Sequence, residues 1–232
     1  METDMPLLID NLKTAKDVLI VKSVLSHLAA SEDANEDAFT LQQSNIFQAC
    51  CLQLQDALGY SFIKHIANSA AIFRNHDLQF DMVRLGIGLY GVDSSVQHQL
   101  QLQTVITLKT TIAQLHQVKA GQTIGYNRKG KVDKDALIAT IRIGYADGFD
   151  RRLSNGIGSV FIRGKVAPVI GIIAMDMCMI DVTNVDGVIE GDDVEIFGTH
   201  IPVQQVAAWC NTISYEILTG IGRRVKRVYV EE

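Results

Sequence analysis

Three short apolar runs in the N-terminal part of the chain each end in side chains able to do chemistry. Residues 18–25 lead into Ser26-His27, residues 62–67 into Asn68-Ser69, and residues 82–85 carry Arg84 just ahead of Gly86, Gly88 and Gly91. A hydroxyl at a helix start, joined after the next strand by glycine-exposed backbone N–H groups, is an arrangement that cradles a phosphate. Taken singly, the same residues have plainer readings. His27 fits a histidine satisfied at the rim of a core. Asn68-Ser69 is ordinary helix N-cap composition. A Gly-x-Gly pair serves turns for backbone reasons alone. Phosphate cradle and structural punctuation both stand at this point.

Bringing these residues together requires parallel β/α units, in which chemistry sits at the C-terminal ends of strands. Leu7, Leu8 and Leu12 suit one face of a short helix, and residues 18–25 read as a strand buried on both faces. A long helix follows, with Phe39, Ile46, Phe47, Cys50 and Leu54 on one stripe and Gly59 as its stop. Residues 62–67 form a second strand, 70–73 a short helix and 82–85 a third strand. Three strands close neither a barrel nor an independent doubly wound sheet of ordinary size, so this half is expected to be part of something larger. The polar, glutamine-rich stretch 93–103 marks a boundary, giving domains of residues 1–95 and 96–232. Beyond it, strands at 105–115, 136–143, 159–162, 169–173, 177–182 and 193–197 alternate with turn signals at Gly121, Asn155-Gly156, Gly164, Gly187 and Gly191. This mostly β domain ends in helices at 203–210 and 214–218, with Gly220 as the left-handed residue closing the last.

Composition removes several function classes. A hydrophobic share of 47% with only 3 prolines is globular, not a disordered linker. The net charge of -5 provides no electrostatic footprint for nucleic acid. The cluster Arg223, Arg224, Lys226 and Arg227 reads as a solvated tail after a helix. No apolar run approaches the roughly 20 residues of a membrane span, and the acidic residues 1–6 have no signal-peptide layout. Cys50, Cys51, Cys178 and Cys210 show neither C-x-x-C spacing nor a histidine-rich partner tract. Reduced thiols in a cytoplasmic protein are expected, with no metal site and no disulfide.

The segments His65-Ile-Ala-Asn-Ser-Ala-Ala71 and Val83-Arg-Leu-Gly-Ile-Gly-Leu-Tyr-Gly91 resemble the H-x-A-N-S-A-A and V-R-P-G-I-x-L-Y-G signatures of bacterial alanine racemases. Further stretches match that family in the same order. They are Gly144-Tyr-Ala-Asp-Gly148 with Arg151-Arg-Leu-Ser-Asn155, Ile162-Arg-Gly-Lys-Val-Ala-Pro168 with Met175-Asp176, and Tyr215-Glu-Ile-Leu218 with Arg223. The resemblance implies an α/β plus β fold: a β/α barrel carrying pyridoxal 5'-phosphate, of which residues 1–95 are the C-terminal portion, then a mostly β domain. It also implies a head-to-tail homodimer with shared active sites, interconverting L- and D-alanine and supplying D-alanine for peptidoglycan. Under it, Ser69, the backbone of Gly86 and Ile87, and Tyr215 resemble the phosphate-binding set, with Asn68 beside them. Arg84 resembles the arginine facing the pyridine nitrogen, and His27 the histidine supporting it. Tyr126, in Ile124-Gly-Tyr-Asn127, matches the catalytic tyrosine; Tyr145 and Met175 match residues on the substrate carboxylate side, supplied by the partner chain.

The implied chemistry suits these residue types. Racemisation needs an acid and a base on opposite faces of Cα. A tyrosine, whose ordinary pKa is about 10, serves as base at neutral pH only if positive neighbours tune it, and His27 and Arg84 are candidates. An arginine keeps its proton up to a pKa above about 12, so at the pyridine nitrogen it donates a hydrogen bond but not a proton. The ring is then a weaker electron sink, which disfavours transamination.

The sequence departs from the family in one decisive place. The Schiff-base lysine of V-x-K-A-N-A-Y-G-H-G has no counterpart, because Lys22 and Lys64 are placed inside strands without that context. The substrate-contacting arginine of a D-T-G-M-x-R-x-G-like segment is missing too, and the chain is expected to start just beyond it. Ala174 replaces the usual cysteine, Leu85 the usual proline, and extra residues between His27 and Asn68 suggest a loop insertion. Three readings follow: part of a longer racemase, inactive alone and exposing apolar strand edges; a non-catalytic β binding or assembly module; or a racemase for another amino acid such as serine. Tyr126, His27, Arg84, Ser69 and Tyr215 favour the first, since a pure assembly module needs none of them.

Overall fold

The computed structural model describes residues 4–95 and 101–230, in two units spanning Met1–Gln103 and Thr104–Glu232. Residues 96–100 of the polar boundary stretch, and residues 1–3 of the acidic N-terminus, lie outside the described residues.

In the first unit, Pro6 in the opening turn suits the start of α1 (Met5–Thr14). The packed face of α1 is Met5, Ile9 and Leu12, so of the expected Leu7, Leu8 and Leu12 only Leu12 faces the core. At helical spacing a stripe through Met5 leaves Leu7 on the far side. The apolar run after it is mostly not a strand. The N–H groups of Val18 and Leu19 are both taken by Ala15 O, so only β1 (Ser23–Leu25) is extended, Lys22 lies just ahead of it, and Val18 is 82% exposed. The long helix α2 (Asp37–Leu58) buries Thr40, Ser44, Phe47, Cys51 and Leu54, a regular four-three spacing that leaves Phe39 and Ile46 outside. Gly59 ends it at φ 75°, as expected. Strand β2 (Ile63–His65) pairs in parallel with β1, Ser23 opposite Ile63 and Leu25 opposite His65. Helix α3 (Ser69–Arg74) follows directly.

The expected third strand does not form. Asp81 N–H donates to Lys64 O and Arg84 N–H to Ala67 O, three residues apart on both sides, so no parallel ladder repeats. Those two bonds still hold Arg84 against the end of β2. Leu28, Phe47, Ile66 and Ala71 form the centre of this unit's core.

The second unit is built on a closed six-stranded barrel of antiparallel pairs. It contains β3 (Leu108–Val118), β6 (Ala136–Ile141), β7 (Ser159–Ile162), β8 (Lys165–Ile170), β9 (Cys178–Asp181) and β10 (Asp193–Phe197), in the order β10-β3-β6-β9-β8-β7. Between β3 and β6, β4 (Thr123–Ile124) and β5 (Gly130–Lys131) form a separate hairpin. Glu195 opposite Phe161 closes the ring, so none of its six strands is left as an edge. Ile141, Val160, Ile162, Ala167, Ile180 and Val194 are fully buried inside it. Helices α4 (Val203–Trp209) and α5 (Ser214–Thr219) pack against each other.

The strand expected at 169–173 instead spans Lys165–Ile170, because Gly171 turns left-handed at φ 74° and its carbonyl accepts from Asn155 N–H. Gly220 corrects another expectation. Its φ of -71° is right-handed, and the residue instead brings its carbonyl close to Gly148, where a Cβ would lie 2.6 Å away.

Two glycines separate conformational from steric cost. Gly156 has φ 82° and open space around it, whereas a Cβ on Gly144 would overlap the carbonyl oxygens of Ala174 and Met175. Gly156→Ala should therefore cost about 1 kcal/mol. Gly144→Ala should cost more than about 2 kcal/mol, with both read from urea unfolding curves. Equal costs would contradict the close approach at Gly144.

Candidate functional site

Arg84 is the centre of the polar cluster in the first unit. Its Nη1 donates to His65 Nδ1 at 3.0 Å and His65 O at 3.1 Å. Its Nη2 reaches Ser26 O at 2.9 Å, His27 Nδ1 at 3.2 Å and Ile66 O at 3.2 Å. Every one of these acceptors comes from the C-terminal end of β1 or β2. Guanidinium offers donors only, so both ring nitrogens must accept and neither imidazole carries a proton on Nδ1. Burial, and then the positive charge of Arg84, push the His65 pKa below its ordinary value. All these contacts fall on the terminal nitrogens, which leaves Nε–H as a fifth donor held in a fixed plane.

His27 was expected to support Arg84, and its ring does so from an exposed position. His65, the nearer and buried partner, was missed. Its signal was in plain view: it closes β2 and opens the motif that contains Ser69.

Ser69 begins α3, and its Oγ accepts from Gly86 N–H at 2.9 Å and Gly88 N–H at 3.3 Å. A hydroxyl has two lone pairs and one proton. Here both lone pairs are filled, so Ser69 Oγ–H acts only as a donor. A Cβ on Gly86 would sit 3.7 Å from that oxygen, in contact with it, whereas glycine leaves that space open. Ile87 follows with its side chain buried and opens a 3-10 turn, Ile87–Tyr90. Asn68 is the N-cap of α3: its Oδ1 accepts from Ala71 N–H at 3.1 Å and from the Ser31 hydroxyl at 2.8 Å. The plainer reading of Asn68 as a cap therefore describes its oxygen fully.

In the second unit, Tyr126 sits on the tip between β4 and β5. Gly125 before it has φ 69°, and Asn127 and Arg128 after it are left-handed at φ 53° and 54°. Each non-glycine residue held there costs about 1 kcal/mol or more, strain of the kind concentrated at functional sites. Arg128 Nε donates to Thr123 Oγ1 at 3.1 Å and braces the turn, while Tyr126 is 67% exposed.

Tyr145 and Met175 lie on two turns that share backbone bonds, Tyr145 N–H to Ala174 O and Ala146 N–H to Met175 O. Arg224 bridges the same turns, reaching Asp147 Oδ1 at 2.7 Å and Asp176 Oδ1 at 2.5 Å. Arg227 is bound to the carbonyls of Ile221, Gly222 and Val225. The basic run read as a solvated tail is exposed at all four residues, but one of them, Arg224, also ties the Tyr145 and Met175 turns together. Charge clustering by itself could not reveal which aspartates faced it.

Tyr215 stands in the first turn of α5, whose Glu216 and Ile217 line an open pocket of about 440 Å³ together with Tyr145, Asp150 and Arg151. Arg152 pairs with Asp150 at 2.7 Å and with Glu216 at 3.2 Å, and holds the Asp150 carboxyl below its usual range. The structure thus brings His27 to Arg84, Ser69 to Gly86, and Tyr145 to Met175, while Tyr126 lies on a turn of its own.

The profile described as "Alanine racemase, C-terminal domain" matches residues 105–229, and "Alanine racemase, N-terminal domain" matches residues 2–94. The chain belongs to the alanine racemase family. Among curated relatives, it is 39% identical over 217 residues to alanine racemase 1 of Caldanaerobacter subterraneus, covering 91% of this chain and 55% of the relative. It is 40% identical over 214 residues to the alanine racemase of Rickettsia bellii, covering 91% and 50%. The chain thus spans about half the length of these curated relatives. Among solved structures, it superimposes on the alanine racemase of Bartonella henselae, described with covalently bound pyridoxal phosphate. The TM-score is 0.88 and identity 37%, covering 99% of this chain and 62% of that one. The alanine racemase from Streptomyces lavendulae matches with TM-score 0.91 and 30% identity, covering 100% and 63%.

The His65 environment has a pH consequence. In the fold its pKa lies below 6.5, so as pH falls the unfolded chain takes up the proton first. Stability linked to neutral His65 is complete above about 6.5 and is lost as pH drops through that value toward the folded pKa. His65→Gln, which keeps an acceptor for Arg84, should flatten the fall in unfolding free energy between about pH 7 and about pH 5. Parallel urea-unfolding profiles for the two proteins would refute the assignment.

Proposed function

We propose that the chain is the C-terminal part of an alanine racemase that binds pyridoxal 5'-phosphate and interconverts L- and D-alanine. The observation that carries this reading is the pair of fixed donors in the first unit. Arg84 has its four terminal N–H donors directed to five acceptors and one donor remaining, and Ser69 has a hydroxyl that can only donate. These fit the two ends of the cofactor, a ring nitrogen that accepts and a phosphate that accepts.

Ser69 Oγ–H and the Gly86–Ile87 backbone would hold the phosphate, with Tyr215 as a further phosphate ligand. Arg84 Nε–H would meet the pyridine nitrogen. Because arginine keeps its proton, that contact orients the ring without protonating it. His27 and His65 fix the orientation of the planar guanidinium. When bound, the cofactor supplies the electron sink that makes the Cα proton of an amino acid removable. In a head-to-tail homodimer, Tyr126 Oη from the β domain of one subunit would take or return that proton on one face of Cα at the cofactor held by the other subunit's barrel, and Tyr145 and Met175 of that same β domain would line the carboxylate side.

Residues 1–95 are proposed as the C-terminal portion of a β/α barrel and 96–232 as the β domain. The parallel β1–β2 pair supports this, as do the exposed Leu25, Ile63, Met82 and Val83, apolar side chains that a fuller barrel would cover. Four free thiols are consistent with a cytoplasmic setting.

The test is ligand binding by the 232-residue chain, followed by calorimetry. Pyridoxal 5'-phosphate should bind more tightly than pyridoxal, and Ser69→Ala should remove roughly tenfold or more of that preference. No preference in the unaltered chain would sink the phosphate assignment. By itself the chain should give no sustained alanine racemisation, as it carries no lysine in a K-A-N-A-Y context. In an enzyme completed with the preceding segment of a relative, Tyr126→Phe should lower turnover by about a hundredfold or more with cofactor absorbance unchanged.

A further inference from the structure

Ser31 lies in the loop after β1 and is completely buried, yet the proposed chemistry makes no use of it. Both of its polar ends are bound to α3. Its hydroxyl donates to Asn68 Oδ1, the N-cap oxygen, at 2.8 Å. Its carbonyl accepts from Nη1 of Arg74, in the last turn of the same helix, at 2.5 Å. Arg74 has only 6% of its side chain exposed and pairs through Nη2 with Asp37 at the start of α2, at 2.8 Å. One loop residue thus grips both ends of α3, and the helix in turn grips the next element.

That connection has two functional ends. Asn68 is followed immediately by Ser69, so the angle at which the Ser69 hydroxyl leaves the helix depends on how Asn68 is held. The same loop carries His27, which accepts from Arg84. Asn68 Oδ1 has two lone pairs, one filled by Ala71 N–H and the other by Ser31. Without the Ser31 hydroxyl, Asn68 Oδ1 keeps only the Ala71 N–H, and a single bond holds the amide less firmly than two. A buried hydroxyl also costs stability unless bonded, and Asn68 is the acceptor that binds this one.

We propose that Ser31 is a positioning residue for phosphate recognition: through Asn68 it sets the direction of the Ser69 hydroxyl. The proposal rests on the reading of Ser69 as a phosphate ligand. A residue serving stability alone would weaken every ligand alike, whereas a positioning residue changes the contrast between ligands with and without a phosphate.

The experiment compares the unaltered chain with Ser31→Ala, Ser31→Thr and Ser69→Ala. Affinities for pyridoxal 5'-phosphate and for pyridoxal are measured by calorimetry, with the phosphorus NMR signal of the bound ester as a second readout. Ser31→Ala should weaken pyridoxal 5'-phosphate about three- to tenfold and shift the phosphorus resonance, while pyridoxal changes by less than about twofold. Ser31→Thr, which keeps the hydroxyl, should restore the unaltered ratio. If Ser31→Ala does not fold, Ser31→Cys replaces it, preserving volume while offering only a weak donor. An unchanged ratio in Ser31→Ala or Ser31→Cys, with the ratio lost in Ser69→Ala, overturns the role of Ser31 and leaves the phosphate reading intact. Absence of any ratio in the unaltered chain overturns both.

Discussion

A guanidinium can donate five hydrogen bonds and accept none, and that one-way chemistry organises the first unit. Arg84 converges on three backbone carbonyls and two imidazole nitrogens, all from the ends of β1 and β2. Carbonyls left at strand ends by a two-stranded sheet need partners, and a half-buried charge needs acceptors. Each solves the other's problem. The by-products are two imidazoles held with Nδ1 unprotonated and one N–H left over in a defined direction. A lysine could not replace this arginine, since a point charge lacks the planar fork that divides its bonds between two strands.

A similar one-way logic holds at Ser69. Two backbone N–H groups from the glycine segment fill its lone pairs, converting an amphoteric hydroxyl into a donor. Behind it, the Ser31 hydroxyl is bound to the cap oxygen of Asn68, the residue that precedes Ser69 in the chain. These few polar groups are held by one another and by the backbone, which makes their geometry sensitive to any single member.

The second unit positions its side chains differently. Tyr126 is presented by a strained turn with successive left-handed residues. Tyr145 and Met175 are presented by turns packed so closely that Gly144 has no room for a Cβ. Arg224 then links those turns through two aspartates and ties the end of the chain to them. Backbone proximity, more than side-chain packing, sets the directions of these residues. The closed barrel beneath supplies the rigidity that such turns require.

The amino-acid sequence by itself determined most of the helices and barrel strands and what chemistry they could carry, but not the missing strand at 82–85 or the β4–β5 hairpin. Gly59 as the stop of α2, the strand periods of the barrel, the Asn155-Gly156 turn and the motif residues His27, Ser69, Arg84 and Tyr126 depend on local rules of spacing and residue type. Local rules do not say which neighbours arrive. The run 18–25 has strand composition, yet Ala15 captures its first N–H groups and only three residues extend. Arg224 reads as tail until two aspartates, 77 and 48 positions away, are seen to meet it. His65 was legible as part of a motif but not as the partner of Arg84, and Ser31 carried no signal at all. A hydrogen bond between residues distant in sequence is a property of the assembled backbone, so only the tertiary structure could decide it.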